Sequence, residues 1–293
     1  MMKTPLTITA SVWIYCQNKC TYCVSGSNSD DWKFNKPFEF YKPRGCENMN
    51  PYELEKRFGK NWYEKKHDGT LMNPEDVLSF DALAEWICVN HGDRLIEGTL
   101  SVHLSGGEPL LRPDIEEMAV FAVDFDLVIC TNGKLIKRRT ELVDADVKWL
   151  VAYHRESVSL EEFVEQIQPI KNKKHLVITV VHSADDLNAM PETKKSLADF
   201  NFEIRYNRNP SATDFSFRHR PEDVAHIASR VLQFVTPDGF VYPCNSQKFG
   251  HIGNVYSGQY EKEFAEFLDS HLTQCIKTNG CAAYQTAVKM SEL

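Results

Sequence analysis

The sequence predicts an α/β protein built around a parallel β-sheet. Segments rich in β-branched and aromatic residues alternate along the chain with segments that have the apolar periodicity of helices. This alternation is typical of consecutive βαβ units, in which a helix connects two parallel strands. The predicted strands are residues 5–15, 99–104, 126–130, 147–153, 175–181 and 202–206.

Helices are predicted between most of these strands. Ser79 is a suitable N-cap for a helix in which Leu83, Trp86 and Ile87 share one face. Pro191 is expected to break or begin the last of the helices, because proline lacks the backbone N–H that a helix interior requires. Besides the helix that begins after Ser79, the predicted helices are residues 113–123, 134–143, 160–167 and 185–200, and Pro191 lies in the last of these.

Composition and charge exclude several classes of protein. The 293 residues include 33 Lys+Arg and 41 Asp+Glu, and this net charge of −8 disfavours a nucleic-acid binder. Hydrophobic residues make up 42%, which excludes disorder as the main state. No apolar run approaches the roughly 20 residues that span a bilayer, and the first residues lack the apolar core of a signal peptide. We therefore expect a cytoplasmic protein without membrane contact, and no Ser-His-Asp set or phosphate-binding loop indicates a hydrolase or ATPase.

Two parts of the chain depart from the alternation of strands and helices. The first is an insertion at about residues 24–78, in which residues 31–66 contain nine aromatic residues, nine Lys/Arg and six Asp/Glu. Aromatic rings mixed with cations either contact a substrate or pack across the mouth of the sheet. The second begins after residue 210, with a hairpin at 231–243 that turns at 236–239 and a helix at 260–271. We predict domains of residues 1–210 and 211–293.

Three of the nine cysteines lie close together just after the first predicted strand. Cys16, Cys20 and Cys23 fall within eight residues. Thiolates are the ligands that iron–sulfur clusters and zinc require, and three of them leave one metal position open for another ligand. The alternative is a zinc site completed by a distant Cys or His.

These cysteines have the spacing Cys-x3-Cys-x-aromatic-Cys, with Tyr22 as the aromatic residue. A second motif, Gly106-Gly107-Glu108-Pro109, lies between a predicted strand and a predicted helix. With both motifs in this order, the sequence resembles the radical S-adenosylmethionine (radical SAM) enzymes. The resemblance implies a partial parallel (β/α)6 barrel with an N-terminal insertion and a small C-terminal Fe–S extension.

The resemblance also implies the cofactors. Cys16, Cys20 and Cys23 would hold a [4Fe–4S] cluster whose open iron binds SAM, and Gly106–Pro109 would contact the SAM amino group. Reduction of the cluster by a cellular one-electron donor of the flavodoxin or ferredoxin type would cleave SAM to a 5′-deoxyadenosyl radical, which removes hydrogen from the substrate.

Other predicted strands end in residues that suit the same site. Thr131 and Asn132 belong to a Thr-Asn-Gly segment that lies beside SAM in many members of the family, although it is equally typical of a simple turn. His154 and Arg205 are at or near the ends of later strands, where polar side chains face the active site of a parallel barrel. His154 is equally compatible with a structural role.

The C-terminal part resembles the twitch or SPASM extensions of radical SAM enzymes. Its cysteines Cys244, Cys275 and Cys281 would hold one auxiliary [4Fe–4S] cluster, whose fourth ligand is Cys46, a substrate group or absent. Buried thiols or a zinc site are the alternatives. Cys88 and Cys130 are expected to be core cysteines.

The resulting functional hypothesis is hydrogen abstraction from a peptide or small molecule that is then oxidised or cross-linked. An alternative within the family is an epimerase of a sugar or amino-acid centre, with Cys244 as the hydrogen donor. A hypothesis of a different class is a non-enzymatic zinc or Fe–S binding module. The Gly106–Pro109 motif argues against this module, which would not need it.

Overall fold

The structure is a computed structural model that describes part of the chain. The described residues are 5–13, 15–18, 36–37, 56, 77–123, 125–145, 147–170, 175–182, 190–198, 203–208, 231–243, 251–263 and 265. Most of the predicted insertion lies outside this set, as does the chain beyond residue 265. The boundary predicted at residue 210 also lies outside it, within residues 209–230.

Twelve strands are found in the described residues, ten of them in one sheet. Their bounds are β1 (Leu6–Trp13), β2 (Tyr15–Cys16), β3 (Lys36–Pro37), β4 (Leu100–Gly106), β5 (Asp126–Thr131), β6 (Lys148–His154), β7 (Leu176–His182), β8 (Glu203–Arg208), β9 (Val231–Val235), β10 (Phe240–Tyr242), β11 (Gly253–Asn254) and β12 (Gln259–Tyr260). All six strands predicted for the sheet are therefore confirmed, with ends that differ by a few residues. The short strands β2 and β3 pair with each other in a separate sheet.

The order of the strands identifies the architecture. The large sheet runs β12-β11-β10-β9-β1-β4-β5-β6-β7-β8, and the pairs from β9 to β8 are all parallel. From β1 onwards each strand of the large sheet lies beside the preceding one, without the reversal of order that marks a doubly wound sheet. This is the order expected of a partial (β/α) barrel, as the fold class predicted from the sequence requires.

Four α-helices are found in the described residues: α1 (Phe80–Ile96), α2 (Thr140–Asp144), α3 (Leu160–Ile167) and α4 (Met190–Ala198). The N-cap prediction for α1 is confirmed, because the Ser79 hydroxyl accepts a hydrogen bond from the backbone N–H of Ala82 (3.3 Å). Pro191 is the second residue of α4 and therefore begins this helix rather than breaking it.

Two helix predictions need correction. The helix predicted at 134–143 consists of a 3₁₀ turn, Ile136–Arg138, followed by the short helix α2. Residues Pro113–Val123 form a 3₁₀ helix, which has three residues per turn. Apolar periodicity does not distinguish such segments from an α-helix, because their apolar residues recur at nearly the same spacing.

The two faces of the sheet differ in polarity. Along β1 the alternate residues Leu6, Ile8, Ala10 and Val12 are buried in the main core. This core also contains buried apolar residues of all four α-helices. Successive side chains of a strand point to opposite faces of the sheet. The helices therefore pack on the face that carries Leu6, Ile8, Ala10 and Val12, and the second face carries the intervening residues of β1, Thr7, Thr9 and Ser11. A smaller apolar cluster on the second face contains Val128, Leu150 and Val177.

Beyond β1 the sheet continues into the C-terminal extension. β9 pairs parallel to β1, and β10, β11 and β12 follow in antiparallel order. The hairpin predicted at 231–243 is confirmed, with its turn at 236–239. Within the described ranges, no helix has the length and apolarity needed to cross a membrane.

Candidate functional site

Three turns that follow neighbouring strands meet at the carboxyl edge of the sheet. Cys16 follows β1, Gly106–Pro109 lies at the end of β4, and Thr131 and Asn132 lie at the end of β5. Parallel neighbours end at the same edge, so these turns lie side by side. The structure thus brings together the described members of three motifs that are separated by about 90 and 25 residues in the sequence.

Gly106 is required by the close approach of the β1 and β4 chains. Its φ is +119°, and a Cβ at this position would lie 2.5 Å from the backbone oxygen of Trp13 and 2.7 Å from Ser11 Oγ. The N–H of Gly107 donates to the same Trp13 oxygen at 2.9 Å. The two glycines therefore hold the turn after β4 directly against the chain that leads into the Cys16 loop.

The Glu108 carboxylate joins the turns after β4 and β5. It is 1% exposed and accepts three hydrogen bonds, from the Leu110 N–H (3.0 Å), the Thr131 hydroxyl (2.6 Å) and the Asn132 N–H (2.8 Å). Burial raises the pKa of this carboxyl, and these donors together with Arg139 oppose the rise. The carboxylate thus links the two loops through hydrogen bonds from protein donors on both of them.

Arg112 fastens the other side of the same turn. Its guanidinium forms a bidentate ion pair with Asp114 at 2.6 and 2.7 Å, and it donates to the backbone oxygens of Val12 (2.8 Å) and Leu78 (2.5 Å). It also lies over the Phe80 ring, 3.6 Å from the ring centroid. A single buried cation therefore ties the β4 turn to the end of β1 and to the start of α1.

Arg139 holds the 3₁₀ turn Pro109–Leu111 from the β5 side. It donates to the backbone oxygen of Leu110 through Nε (3.0 Å) and Nη2 (2.8 Å), and to the oxygen of Arg112 at 3.0 Å. Its positive charge lies close enough to Glu108 to lower the pKa of that carboxyl. Three buried charged residues, Glu108, Arg112 and Arg139, thus fix the edge of the sheet.

The loop after β1 contacts the turn after β5. The thiol of Cys16 is buried and accepts a hydrogen bond from the backbone N–H of Asn18 at 3.4 Å. Gln17 Nε2 donates to Asn132 Oδ1 at 3.3 Å, across the end of the intervening strand β4. An N–H group directed at a cysteine sulfur is an interaction that tunes the potential of a bound cluster.

The remaining described candidates lie farther along the sheet. His154 ends β6, and burial together with the charge of Lys134 lowers its pKa to about 4, so the imidazole is neutral at physiological pH. Cys130 is half-buried and packs against the apolar cluster on the second face, where burial raises the pKa of its thiol. The backbone of Arg205 pairs in β8 with Thr179 of β7.

One expectation about the cysteines is wrong. Cys88 was expected in the core, but it is exposed on α1. The helix buries Leu83, Trp86 and Ile87, and Cys88, one residue beyond Ile87, lies about 100° farther round the helix, outside that stripe.

Several predicted site residues lie outside the described part of the chain. They are Cys20, Tyr22, Cys23, Cys46, Cys244, Cys275 and Cys281. Within the described ranges no three His, Cys, Asp or Glu side chains form a group that could hold a metal ion. The cluster ligands and the auxiliary cluster therefore stay predictions.

The described residues fit the groups that the sequence resemblance implies. Asn18 Oδ1 and Asn132 Nδ2 are buried polar atoms with no hydrogen-bond partner among the described residues. Such atoms are costly unless a ligand satisfies them, and one is an acceptor while the other is a donor. A zwitterionic ligand such as SAM offers both complementary groups, and the Cys16 sulfur beside them is a suitable iron ligand.

Sequence reasoning missed four residues of this edge. Gln17 and Asn18 occupy variable positions between the first two cysteines, and Arg112 and Arg139 carry no motif of their own. The available signal was weak: two amides inside a cysteine loop, and an arginine two residues before an acidic residue in Arg112-Pro113-Asp114.

No protein-family model matches the chain. Over 119 residues it is 27% identical to a GTP 3′,8-cyclase of Campylobacter lari, a match that covers 38% of this chain and 33% of that protein. The matched part thus spans about a third of the relative. GTP 3′,8-cyclase is a radical SAM enzyme, so the similarity supports the superfamily and an enzymatic role, and not a particular substrate or reaction.

Proposed function

We propose that this protein is a radical SAM enzyme that abstracts hydrogen from a peptide or small-molecule substrate. The observation that supports the proposal best is the meeting of Cys16, Gly106–Glu108 and Thr131–Asn132 at one edge of the sheet. The distant similarity to a GTP 3′,8-cyclase points in the same direction.

In this proposal Cys16, Cys20 and Cys23 ligate a [4Fe–4S] cluster. When bound and reduced, the cluster and SAM supply a 5′-deoxyadenosyl radical. Gly106 and Gly107 bring the backbone close enough to contact the SAM amino group, and Tyr22 lies within the cluster loop. Because burial and Lys134 keep His154 neutral, it can bind a ligand through either ring nitrogen as donor or acceptor.

In this proposal Glu108 and Thr131 also orient the turns, beside the SAM contact that the motif implies. The Glu108 carboxylate accepts hydrogen bonds from three protein donors, so this side chain orients the turns after β4 and β5. The Thr131 hydroxyl donates to Glu108 and accepts from the Gly133 N–H (3.0 Å), which leaves Asn132 as the side chain of this turn that faces a ligand.

The reaction that we propose is oxidation or cross-linking of the substrate radical. Residues 211–293 would form a twitch or SPASM-like extension in which Cys244, Cys275 and Cys281 hold one auxiliary [4Fe–4S] cluster that accepts the electron. A flavodoxin or ferredoxin would supply the first electron, and Arg205 would contribute to the SAM or substrate site. In the alternative reaction, epimerisation of a sugar or amino-acid centre, Cys244 would be the hydrogen donor; it lies outside the described residues, two positions after the end of β10.

Anaerobic reconstitution with iron and sulfide, followed by SAM and dithionite, tests the proposal directly. We expect 5′-deoxyadenosine to form, even slowly and without substrate, because reductive cleavage of SAM does not require the substrate. The triple variant Cys16→Ala, Cys20→Ala, Cys23→Ala should form none. The matched control is Cys88→Ala, which removes an exposed thiol from α1 and should leave both iron content and cleavage unchanged.

The iron content tests the extension separately. About eight iron atoms per chain are expected with an auxiliary cubane cluster, and about four without it.

Formation of 5′-deoxyadenosine at the same rate in wild type and in the triple variant would contradict the proposed function. Stoichiometric zinc without iron in protein purified under anaerobic conditions would favour the binding module instead.

A further inference from the structure

The side-chain amide of Asn132 has a defined orientation. The backbone N–H of Lys134 donates to Asn132 Oδ1 at 3.1 Å, and Gln17 Nε2 donates to the same oxygen at 3.3 Å. A backbone N–H can only donate, so the oxygen must face Lys134 and the amide nitrogen must face the other way. Asn132 is 6% exposed, and its Nδ2 has no partner in the described part of the chain. The Asn132 Nδ2 group is therefore a buried donor that is available to a ligand.

Gln17 joins two loops that are not neighbours in the sheet. β4 lies between β1 and β5, so the hydrogen bond from Gln17 to Asn132 passes over the end of β4. Two interstrand spacings place β1 and β5 roughly 10 Å apart. A contact across this distance favours a long side chain with a hydrogen-bond donor at its end, as Gln17 has. A leucine in place of Gln17 would be too apolar to donate a hydrogen bond to Asn132. A glutamate there would place a carboxylate oxygen, an acceptor, against the Asn132 oxygen.

The same contact lies next to the first cysteine. Gln17 follows Cys16 directly, and the N–H of Asn18 donates to the Cys16 sulfur. Asn18 Oδ1 is likewise buried and has no hydrogen-bond partner among the described residues. The Gln17–Asn132 hydrogen bond is therefore flanked by an acceptor, Asn18 Oδ1, and by a donor, Asn132 Nδ2. Gln17 therefore connects Asn132 directly to the loop that carries the first predicted cluster ligand.

We propose that Gln17 is a positioning residue for SAM: it holds Asn132 so that Nδ2 donates to an oxygen of the bound SAM. This inference rests on the proposed function and adds a residue that the cysteine motif leaves variable. Asn132 is the contacting residue, and Gln17 acts only through it. The acceptor is a carboxylate or hydroxyl oxygen, since SAM presents no other strong acceptor outside its adenine ring.

A double-mutant cycle on the anaerobically reconstituted protein tests the inference. The Kd for SAM is measured by equilibrium binding without substrate for wild type, Gln17→Leu, Asn132→Ala and the double variant. Losing one hydrogen bond should raise the Kd about three- to tenfold in Gln17→Leu, with at least the same rise in Asn132→Ala. The double variant should match Asn132→Ala alone, because Gln17 acts through that side chain.

Two further measurements separate positioning from loss of structure. The iron content should be the same in all four proteins, and the change that SAM causes in the EPR spectrum of the reduced cluster should be smaller in Gln17→Leu. Gln17→Glu keeps the length and polarity of the side chain and should raise the Kd at least as far as Gln17→Leu. The matched control is Gln166→Leu, which makes the same change on α3 and should leave the Kd unchanged.

The outcomes distinguish this inference from the proposed function. An unchanged Kd in Gln17→Leu and Gln17→Glu, or in Asn132→Ala, would overturn the inference even if wild type cleaves SAM. Independent effects of the two substitutions, which multiply in the double variant, would also overturn it. Wild-type protein that neither binds nor cleaves SAM would instead remove the proposed function, and this inference with it.

Discussion

Two turns of similar composition are held in different ways. The turn after β4 contains Gly, Glu and Pro, and the turn between β9 and β10 contains Pro, Asp and Gly. The Glu108 carboxylate binds Thr131 and Asn132, which are 23 and 24 residues away. Asp238 instead accepts from the Thr236 hydroxyl within its own turn, and the Gly239 N–H donates to the Thr236 oxygen at 2.9 Å.

This difference shows where the structure places its strongest constraints. In the hairpin turn the side-chain contact of Asp238 is local, whereas the longer-range hydrogen bonds, from residues 254–256, reach only backbone oxygens of the turn. The turn after β4 is stabilised by Glu108, Arg112 and Arg139. Their partners include Val12 in β1, Leu78 before α1 and Thr131 in β5. A site that must hold loops of three strands in one geometry needs such long-range contacts.

The largest effect is expected for Glu108→Gln. The amide nitrogen of Gln must face either the Asn132 N–H or the Leu110 N–H, so a buried donor loses its acceptor. We expect the free energy of unfolding to fall by about 2 to 3 kcal/mol. Denaturant titration of anaerobically prepared protein measures this loss.

The matching substitution in the hairpin is Asp238→Asn, which keeps the oxygen that Thr236 contacts. It should change the free energy of unfolding by less than about 0.5 kcal/mol. Equal losses in the two variants would contradict the contrast between the two turns.

A smaller and pH-dependent effect is expected at His91, where α1 meets the extension. The His91 ring packs edge-on against Trp86 and Tyr260, and burial together with Arg94 lowers its pKa from 6.5 to about 4. Because the folded pKa is below the unfolded one, His91 destabilises the fold as the pH falls from about 6.5 towards 4. Between about pH 7 and about pH 5 the loss should be about 2 kcal/mol.

His91→Phe retains the aromatic packing and removes the titrating group. The decline in the free energy of unfolding over this pH interval should therefore be smaller in the variant by that amount. His251→Phe, at an exposed position of the extension, serves as the control and should decline as wild type does. An identical decline in His91→Phe and wild type would show that the imidazole is not the group responsible.

A loss smaller than those at Glu108 and His91 is expected for Tyr256→Phe. The Tyr256 hydroxyl accepts from the Ser79 N–H at 3.0 Å and donates to the Val77 oxygen at 3.2 Å, which links the extension to the start of α1. Removing the hydroxyl should lower the free energy of unfolding by about 1 kcal/mol. Tyr242→Phe is the matched control, since no described residue hydrogen-bonds to that hydroxyl, and it should unfold as wild type does. A Tyr256→Phe variant as stable as this control would mean that the link contributes nothing.

Much of the fold could be predicted because its signals are local. Each strand of the parallel sheet has its own run of β-branched and apolar residues, and the Ser79 cap and the hairpin turn are encoded by adjacent residues. Predictions failed where two local structures share one pattern. The 3₁₀ helix Pro113–Val123 has the apolar periodicity of an α-helix, and exposed Cys88 adjoins the buried stripe of α1.

The candidate site divides in the same way. The spacing of Cys16, Cys20 and Cys23 and the Gly106–Pro109 motif are visible in the sequence, since each lies within one loop. The meeting of Cys16 with the Gly106–Pro109 motif at one edge follows from the strand order β1-β4-β5. The contacts of Gln17 and Arg139 could not be predicted from the sequence, because their partners lie 115 and 27 to 29 residues away.

The sequence by itself determined the parallel α/β architecture, the positions of the six predicted strands of the barrel and the residues that are candidates for the chemistry. Only the tertiary structure decided that the Glu108 carboxylate faces protein donors, and that Asn132 presents a buried N–H without a partner among the described residues. The physical reason is that hydrogen bonding depends on distance in space. Chain folding sets these distances between residues whose separation along the sequence carries no such information.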